Sequence, residues 1–239
     1  MLFRSPASSI APPRIESPTH VVIPPRREST ATRLPEMGTG SGFTANKNKE
    51  LNYVELAKLS VSIVMIKIYD RNQRILGTGS GIMIGKDGFI LTNCHVINGG
   101  DLFEVRIEDD NETYKTTEVI KYNHHLDLAI IRIPRVLKPL RLYLGKEALV
   151  RGQKVVAIGS PLGLFNSVSD GIISGFRNIE NVDMIQFSAP ISPGSSGGAV
   201  LNMYGEVIGI STAGFSEGQN INLAVPYMAI WDFARGFIR

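Results

Sequence analysis

From about residue 53 onward the chain is built of short runs rich in β-branched and apolar residues. Each run is closed by glycine, asparagine, aspartate or proline, and no amphipathic helical stretch comes between them. This texture constrains the fold more than any other feature. Strands that follow one another without helical crossovers pair antiparallel, so an alternating α/β fold is excluded and antiparallel sheets or barrels are expected. Strands are predicted at 61–69, 75–84, 89–92, 102–108, 114–122 and 126–133, with turns at Asp70-Arg71-Asn72-Gln73 and Gly85-Lys86-Asp87-Gly88. After a connection over 134–144, a second set is predicted at 153–159, 167–176, 184–189, 199–202, 207–212 and 220–225. Pro226 then opens a terminal helix, 227–237, with Ile230, Phe233, Ala234 and Phe237 on one face. The expectation is an all-β chain of two six-stranded antiparallel β-barrels, about 53–140 and 150–226, followed by a short C-terminal helix.

Residues 1–50 differ in kind. Seven of the 13 prolines fall within 1–45, among scattered serine and threonine, and such a segment buries too little apolar surface to offset its ordering entropy. It reads as a disordered arm ahead of a folded unit spanning 51–239. The arm carries seven basic residues (Arg4, Arg14, Arg26, Arg27, Arg33, Lys47, Lys49) against Glu16, Glu28, Glu36 and Glu50. It therefore holds the entire net charge of +3, and the remaining residues balance at eighteen of each sign. No basic cluster interleaves with aromatics, so no nucleic-acid surface is expected. Cys94 is the single cysteine, which rules out an intrachain disulfide. No apolar run reaches the roughly 18 residues of a membrane span, and no secretory signal core is evident. The cytoplasm is the default compartment, with an organellar or extracytoplasmic one left open.

Three short segments carry the chemistry. Pro193-Gly194-Ser195-Ser196-Gly197-Gly198-Ala199-Val200 sets a serine among glycines, which permit a tight turn and close backbone approach. Thr92-Asn93-Cys94-His95-Val96 offers a base, and His125-Leu126-Asp127-Leu128-Ala129-Ile130-Ile131 a carboxylate. A serine hydroxyl is a weak nucleophile that needs a neighbouring base to take its proton. Histidine suits that task because its ordinary pKa is about 6.5. A carboxylate fixes the imidazole tautomer, and backbone N–H groups meet the oxyanion. His124 and His125 beside Asp127 admit a metal-ligand reading, but a polar turn before the strand is the expectation. No metal or cofactor is expected. Cys94 is read as a small filler rather than a reactive thiol.

Taken in order, these segments resemble the trypsin-like serine proteases of the chymotrypsin fold, and within them the HtrA/Deg family. The resemblance covers about 55–228. It adds Gly79-Ser80-Gly81-Ile82-Met83-Ile84 before the histidine and Gly159-Ser160-Pro161-Leu162-Gly163 between the halves. Gly205-Glu206-Val207-Ile208-Gly209-Ile210 and the segment from Gly218 to Pro226 follow the nucleophile. It implies a serine endopeptidase acting on protein, often misfolded, with His95, Asp127 and Ser196 as the triad. The Gly194 and Ser196 amides then form the oxyanion hole. Ser195 stands where the family has asparagine, Ala199 where proline is common, and Cys94 where alanine or asparagine is usual. The position six residues before Ser196, acidic in relatives that cleave after basic residues, is Pro190. A pocket of Pro190, Ile191, Ser211, Thr212 and Ala213 thus implies a small or medium aliphatic P1 residue. The chain ends 13 residues after Pro226, so a PDZ domain is not expected. A homotrimer is typical of the family, but its N-terminal contacts find no match here. Two alternatives stay open: a binding or chaperone module on a protease fold, and a protease held latent by its oxyanion loop.

Overall fold

The computed structural model describes residues 49–214 and 220–238. The expected arm, apart from Lys49 and Glu50, lies outside the described residues, as does the 215–219 stretch.

A short helix, α1 (Tyr53–Ala57), precedes the first sheet. That sheet contains β1 (Ile63–Tyr69), β2 (Ile75–Met83), β3 (Phe89–Thr92), β4 (Leu102–Ile107), β5 (Thr113–Thr116), β6 (Val119–Asn123) and β7 (Leu128–Arg132). Its order is β5-β4-β1-β2-β3-β7-β6, and α2 (Cys94–Ile97) follows β3 directly. The second sheet contains β8 (Arg141–Leu142), β9 (Lys154–Gly159), β10 (Ser167–Ile179), β11 (Val182–Phe187), β12 (Ala199–Leu201), β13 (Glu206–Gly214) and β14 (Asn222–Pro226). Its order is β12-β9-β10-β11-β14-β13-β8, and the further pairing of β12 with β13 closes six strands into a barrel. Strand β8 lies outside that ring, parallel to β13. The two-barrel architecture is therefore present, one barrel closed and the other a half-barrel whose edges β5 and β6 do not pair with each other.

Stretch 114–122, expected as one strand, is two. The Thr116 hydroxyl accepts a hydrogen bond from the Glu118 N–H (3.0 Å), turning the chain so that β5 pairs with β4 and β6 with β7, at opposite edges of the sheet. The connection over 134–144 holds β8, too short and too polar to betray itself by pattern. The terminal helix α3 (Tyr227–Ala234) stops short of Phe237, whose ring instead meets Phe89 edge-on at 5.1 Å.

Among the described residues the buried apolar side chains form three clusters. One lies inside each sheet and one lies between them. This explains why the strands read as continuous apolar runs instead of clean alternation. In β7, Leu128 and Ile130 enter the shared cluster while Ala129 and Ile131 enter the first sheet's own. In β9, Val156 and Ile158 enter the shared cluster while Val155 and Ala157 enter the second barrel's. Ile230 and Phe233 of α3 complete the shared cluster, so the sheets and the helix bury apolar surface against one another.

Candidate active site

The placement of His95 and Asp127 follows from strand register. Strands β3 and β7 are antiparallel partners with Thr92 opposite Ala129. His95 lies three residues beyond one strand and Asp127 one before the other, so both sit at the same end of the pair. Asp127 has φ +52, a left-handed backbone tolerated by aspartate, and its N–H closes a turn onto the His124 carbonyl (3.3 Å). The turn points the carboxylate back at α2. There Oδ2 meets the His95 Nδ1 at 2.7 Å, while Oδ1 accepts the His95 backbone N–H at 2.9 Å. The carboxylate thus orients the imidazole and also satisfies an orphan N–H in the first turn of α2. Asn93 occupies the N-cap position but makes no capping bond; its Nδ2 donates to the Asp127 carbonyl instead (2.9 Å). Asn93 is fully buried.

Thr212 supplies another donor to Asp127 Oδ2 through its hydroxyl. Burial by itself pushes the Asp127 carboxyl up. The hydrogen bonds from the His95 ring, Thr212 and the His95 backbone outweigh it, together with the His95 charge, and hold the group below the usual carboxylate range. Asp101 and Asp183 are bonded elsewhere, to Arg71 and Asn178. Cys94 is buried with Sγ 3.2 Å from His124 Nδ1, and burial, then the Asp127 charge, push its thiol up, away from the reactive thiolate. No group of three potential metal-ligating side chains exists among the described residues.

Ser196 lies between β11 and β12. The Ser195 N–H donates to the Ser192 carbonyl (2.9 Å) across Pro193 and Gly194, and Gly194 has φ +99. Proline at the second and a positive-φ glycine at the third position define a type II turn. Among the described residues neither the Gly194 nor the Ser196 N–H has an intrachain acceptor, so both are free donors. Gly197, at φ +87, leaves no room for a Cβ, which would run into the Ser80 carbonyl. Its N–H reaches the Ser211 carbonyl at 2.8 Å, tying the turn to β13. The Ser196 hydroxyl donates to the Thr212 carbonyl at 3.1 Å and makes no hydrogen bond to the His95 ring.

A cavity of about 160 Å³ opens beside this turn. Pro190, Ile191, Ser192, Ser195, Ser211 and Pro161 are among the residues that line it. Its described lining carries no acidic or basic side chain. Thr212, expected on the pocket wall, turns its hydroxyl to Asp127 instead. The pattern alone hid this role, because a threonine in an apolar strand reads equally as wall or as donor. Ala213 is on β13; its side chain lies outside the described features.

Fold and site together define a chymotrypsin-like double barrel with a histidine–aspartate pair on one sheet and a serine turn on the other. The trypsin-like peptidase domain matches residues 79–210, more than half of the chain, and the chain belongs to that family of serine-type hydrolases. Serine protease HTR4 of Bos taurus is 35% identical over 219 residues, covering 84% of this chain and 44% of the relative. A probable periplasmic serine endoprotease, DegP-like, of Pseudomonas fluorescens is 39% identical over 165 residues, covering 66% and 34%. Anti-sigma-I factor RsgI9 of Acetivibrio thermocellus is 35% identical over 186 residues, covering 76% and 26%. The chain thus spans between about a quarter and under half of these curated relatives' length. The crystal structure of the serine endoprotease from Yersinia pestis aligns with TM-score 0.69 and 29% identity, covering 79% of this chain and 67% of that one. No helix among the described residues is long and apolar enough to cross a membrane.

Proposed function

We propose that the chain is a serine endopeptidase that works through an acyl-enzyme. The observation that carries this reading is the Asp127 carboxylate held on both the ring and the backbone of His95, beside a serine turn with two free amide donors. In the reaction, Ser196 Oγ swings from the Thr212 carbonyl to the free ring nitrogen of His95, which takes its proton as Oγ attacks the scissile carbonyl. The oxyanion is met by the Gly194 and Ser196 N–H groups. As the tetrahedral intermediate collapses, His95 protonates the leaving amine, and the acyl group stays on Ser196. Water then attacks the ester with His95 again as base, releasing the carboxylate product and restoring Ser196. Asp127 stays ionised throughout and stabilises the imidazolium.

The substrate reading is unfolded or damaged protein with a small or medium aliphatic P1 residue. A cationic side chain would be desolvated beside Pro190 and Ile191 without a counter-charge, which is strongly unfavourable. Digestion of a peptide library is expected to give cleavage after valine, alanine or leucine; dominance of arginine or lysine overturns the pocket assignment.

One observation favours a second reading, a resting enzyme: the Ser196 hydroxyl faces Thr212 and not His95. A fluorophosphonate probe separates the two. Labelling of the intact chain and of Ser195→Ala, lost in Ser196→Ala, supports the assembled endopeptidase and its register. Absence of labelling in the intact chain, regained with a partner or on oligomerisation, supports the resting form. Absence under every condition supports a non-catalytic binder.

A further inference from the structure

The two oxyanion donors belong to alternate peptide units, 193–194 and 195–196. The units that flank them, 194–195 and 196–197, are both held through their carbonyls by one residue of the other sheet. Ser80 of β2 donates its hydroxyl to the Gly194 carbonyl (2.8 Å) and its backbone N–H to the Ser196 carbonyl (2.7 Å). Ser80 is fully buried, and its remaining polar positions are also used. Its Oγ accepts the Ser160 N–H at 2.8 Å, and its own carbonyl accepts the Thr92 hydroxyl at 2.7 Å. Because Oγ already accepts from Ser160, its proton is directed to Gly194, so the bond has a fixed sense.

We infer that Ser80 is a positioning residue for the oxyanion donors, acting through the Gly194 peptide. The inference rests on the proposed acyl-transfer reading for its kinetic meaning but not for its geometry. Gly194 is the flexible point of the turn: with no Cβ it has several backbone basins open to it, and at φ +99 it occupies one that a proline-led turn allows but does not enforce. The Ser80 hydroxyl selects that basin together with the Ser195 N–H bond to the Ser192 carbonyl, which holds the other side of the same peptide unit. Without it the buried Gly194 carbonyl has no partner, an unfavourable state that the glycine relieves by rotating. That rotation carries the Gly194 N–H off its line. The Ser196 N–H is held more firmly, because its flanking carbonyl is gripped by the Ser80 backbone, which a side-chain change leaves in place.

The test compares intact chain, Ser80→Cys and Ser80→Ala. Deletion of a whole oxyanion donor lowers kcat by roughly 10²–10³-fold, so loosening one donor is expected to lower it by about 10- to 100-fold in Ser80→Ala. KM is expected to stay within about twofold. Ser80→Cys, which keeps the volume and a weaker donor, is expected to fall between. Hydrogen–deuterium exchange of the same full-length proteins is expected to speed up over 192–198 in the order intact, Cys, Ala, with the core strands unchanged. Unaltered kcat and unaltered exchange over 192–198 in a folded Ser80→Ala overturn the inference. So does a variant whose exchange rises uniformly while kcat and KM worsen together, since that marks general loosening. If Ser80→Ala does not fold, Ser80→Cys decides by the same measures. If the intact chain turns nothing over, the endopeptidase reading fails, and exchange over 192–198 still decides the role of Ser80.

Discussion

The two sheets carry their shares of the site by different means. In the first, His95 and Asp127 flank adjacent strands, and the β3–β7 register brings them to the same end of the pair, with Thr212 of the second sheet adding a hydrogen bond to the carboxylate. In the second, Ser196 sits in a long connection whose position depends on bonds to other elements: Ser80 of the opposite sheet, and Ser211 and Thr212 of β13. Ser196 is placed from across the cleft, by bonds that neither strand ladder supplies. The histidine–aspartate pair thus rests mainly on one ladder, and the serine turn on contacts between the sheets. Thr212 links the two, giving its hydroxyl to Asp127 and its carbonyl to Ser196.

Three changes aimed at the histidine–aspartate pair test this contrast. The largest effect is expected from Asp127→Asn. It leaves the shape but removes the charge that fixes the imidazole, and kcat should fall by roughly 10⁴-fold while fluorophosphonate labelling slows in parallel. A loss below tenfold would mean that the carboxylate serves the fold and not the base. Next is Asn93→Ala. It frees the Asp127 carbonyl and relaxes the left-handed backbone there, with an expected loss of about 1–3 kcal/mol in unfolding free energy by chemical denaturation. A rate loss without a stability loss would instead make Asn93 a purely orienting group. The smallest is a pH effect. Because Asp127 is held below its unfolded value of about 3.9, its stabilisation is fully present above that value and is lost as pH falls through the folded one. The gap in thermal midpoint between intact chain and Asp127→Asn should therefore narrow as pH is lowered from about 6 to about 3. A gap that is constant or widens reverses the sign of the shift.

Much of the fold was legible because strands buried on both faces write themselves as unbroken apolar runs, as 128–131 and 155–158 do. Where a strand is short and exposed the pattern fades. Strands β5 and β6 merged into one prediction, since only the Thr116–Glu118 bond separates them, and β8 left no trace. The candidate site followed the same division. The residue types at 95, 127 and 196 announce their chemistry because few side chains can act as base, orienting acid and nucleophile, and glycines at 194 and 197 announce a turn that excludes a Cβ. Asn93, Thr212 and Ser80 announce nothing. Asparagine, threonine and serine donate hydrogen bonds in any context, and what they donate to depends on which elements lie beside them.

The sequence by itself determined the all-β class, the strand-rich halves and which histidine, aspartate and serine were candidates for the site, because local periodicity and side-chain chemistry are properties of the chain. Only the tertiary structure decided that the second barrel closes while the first stays open, that Thr212 faces Asp127, and that Ser80 grips the turn from across the cleft. Each of those is a contact between residues far apart in sequence, such as the 114 positions from Ser80 to Gly194, and its geometry is set by how two cores pack together rather than by any local pattern.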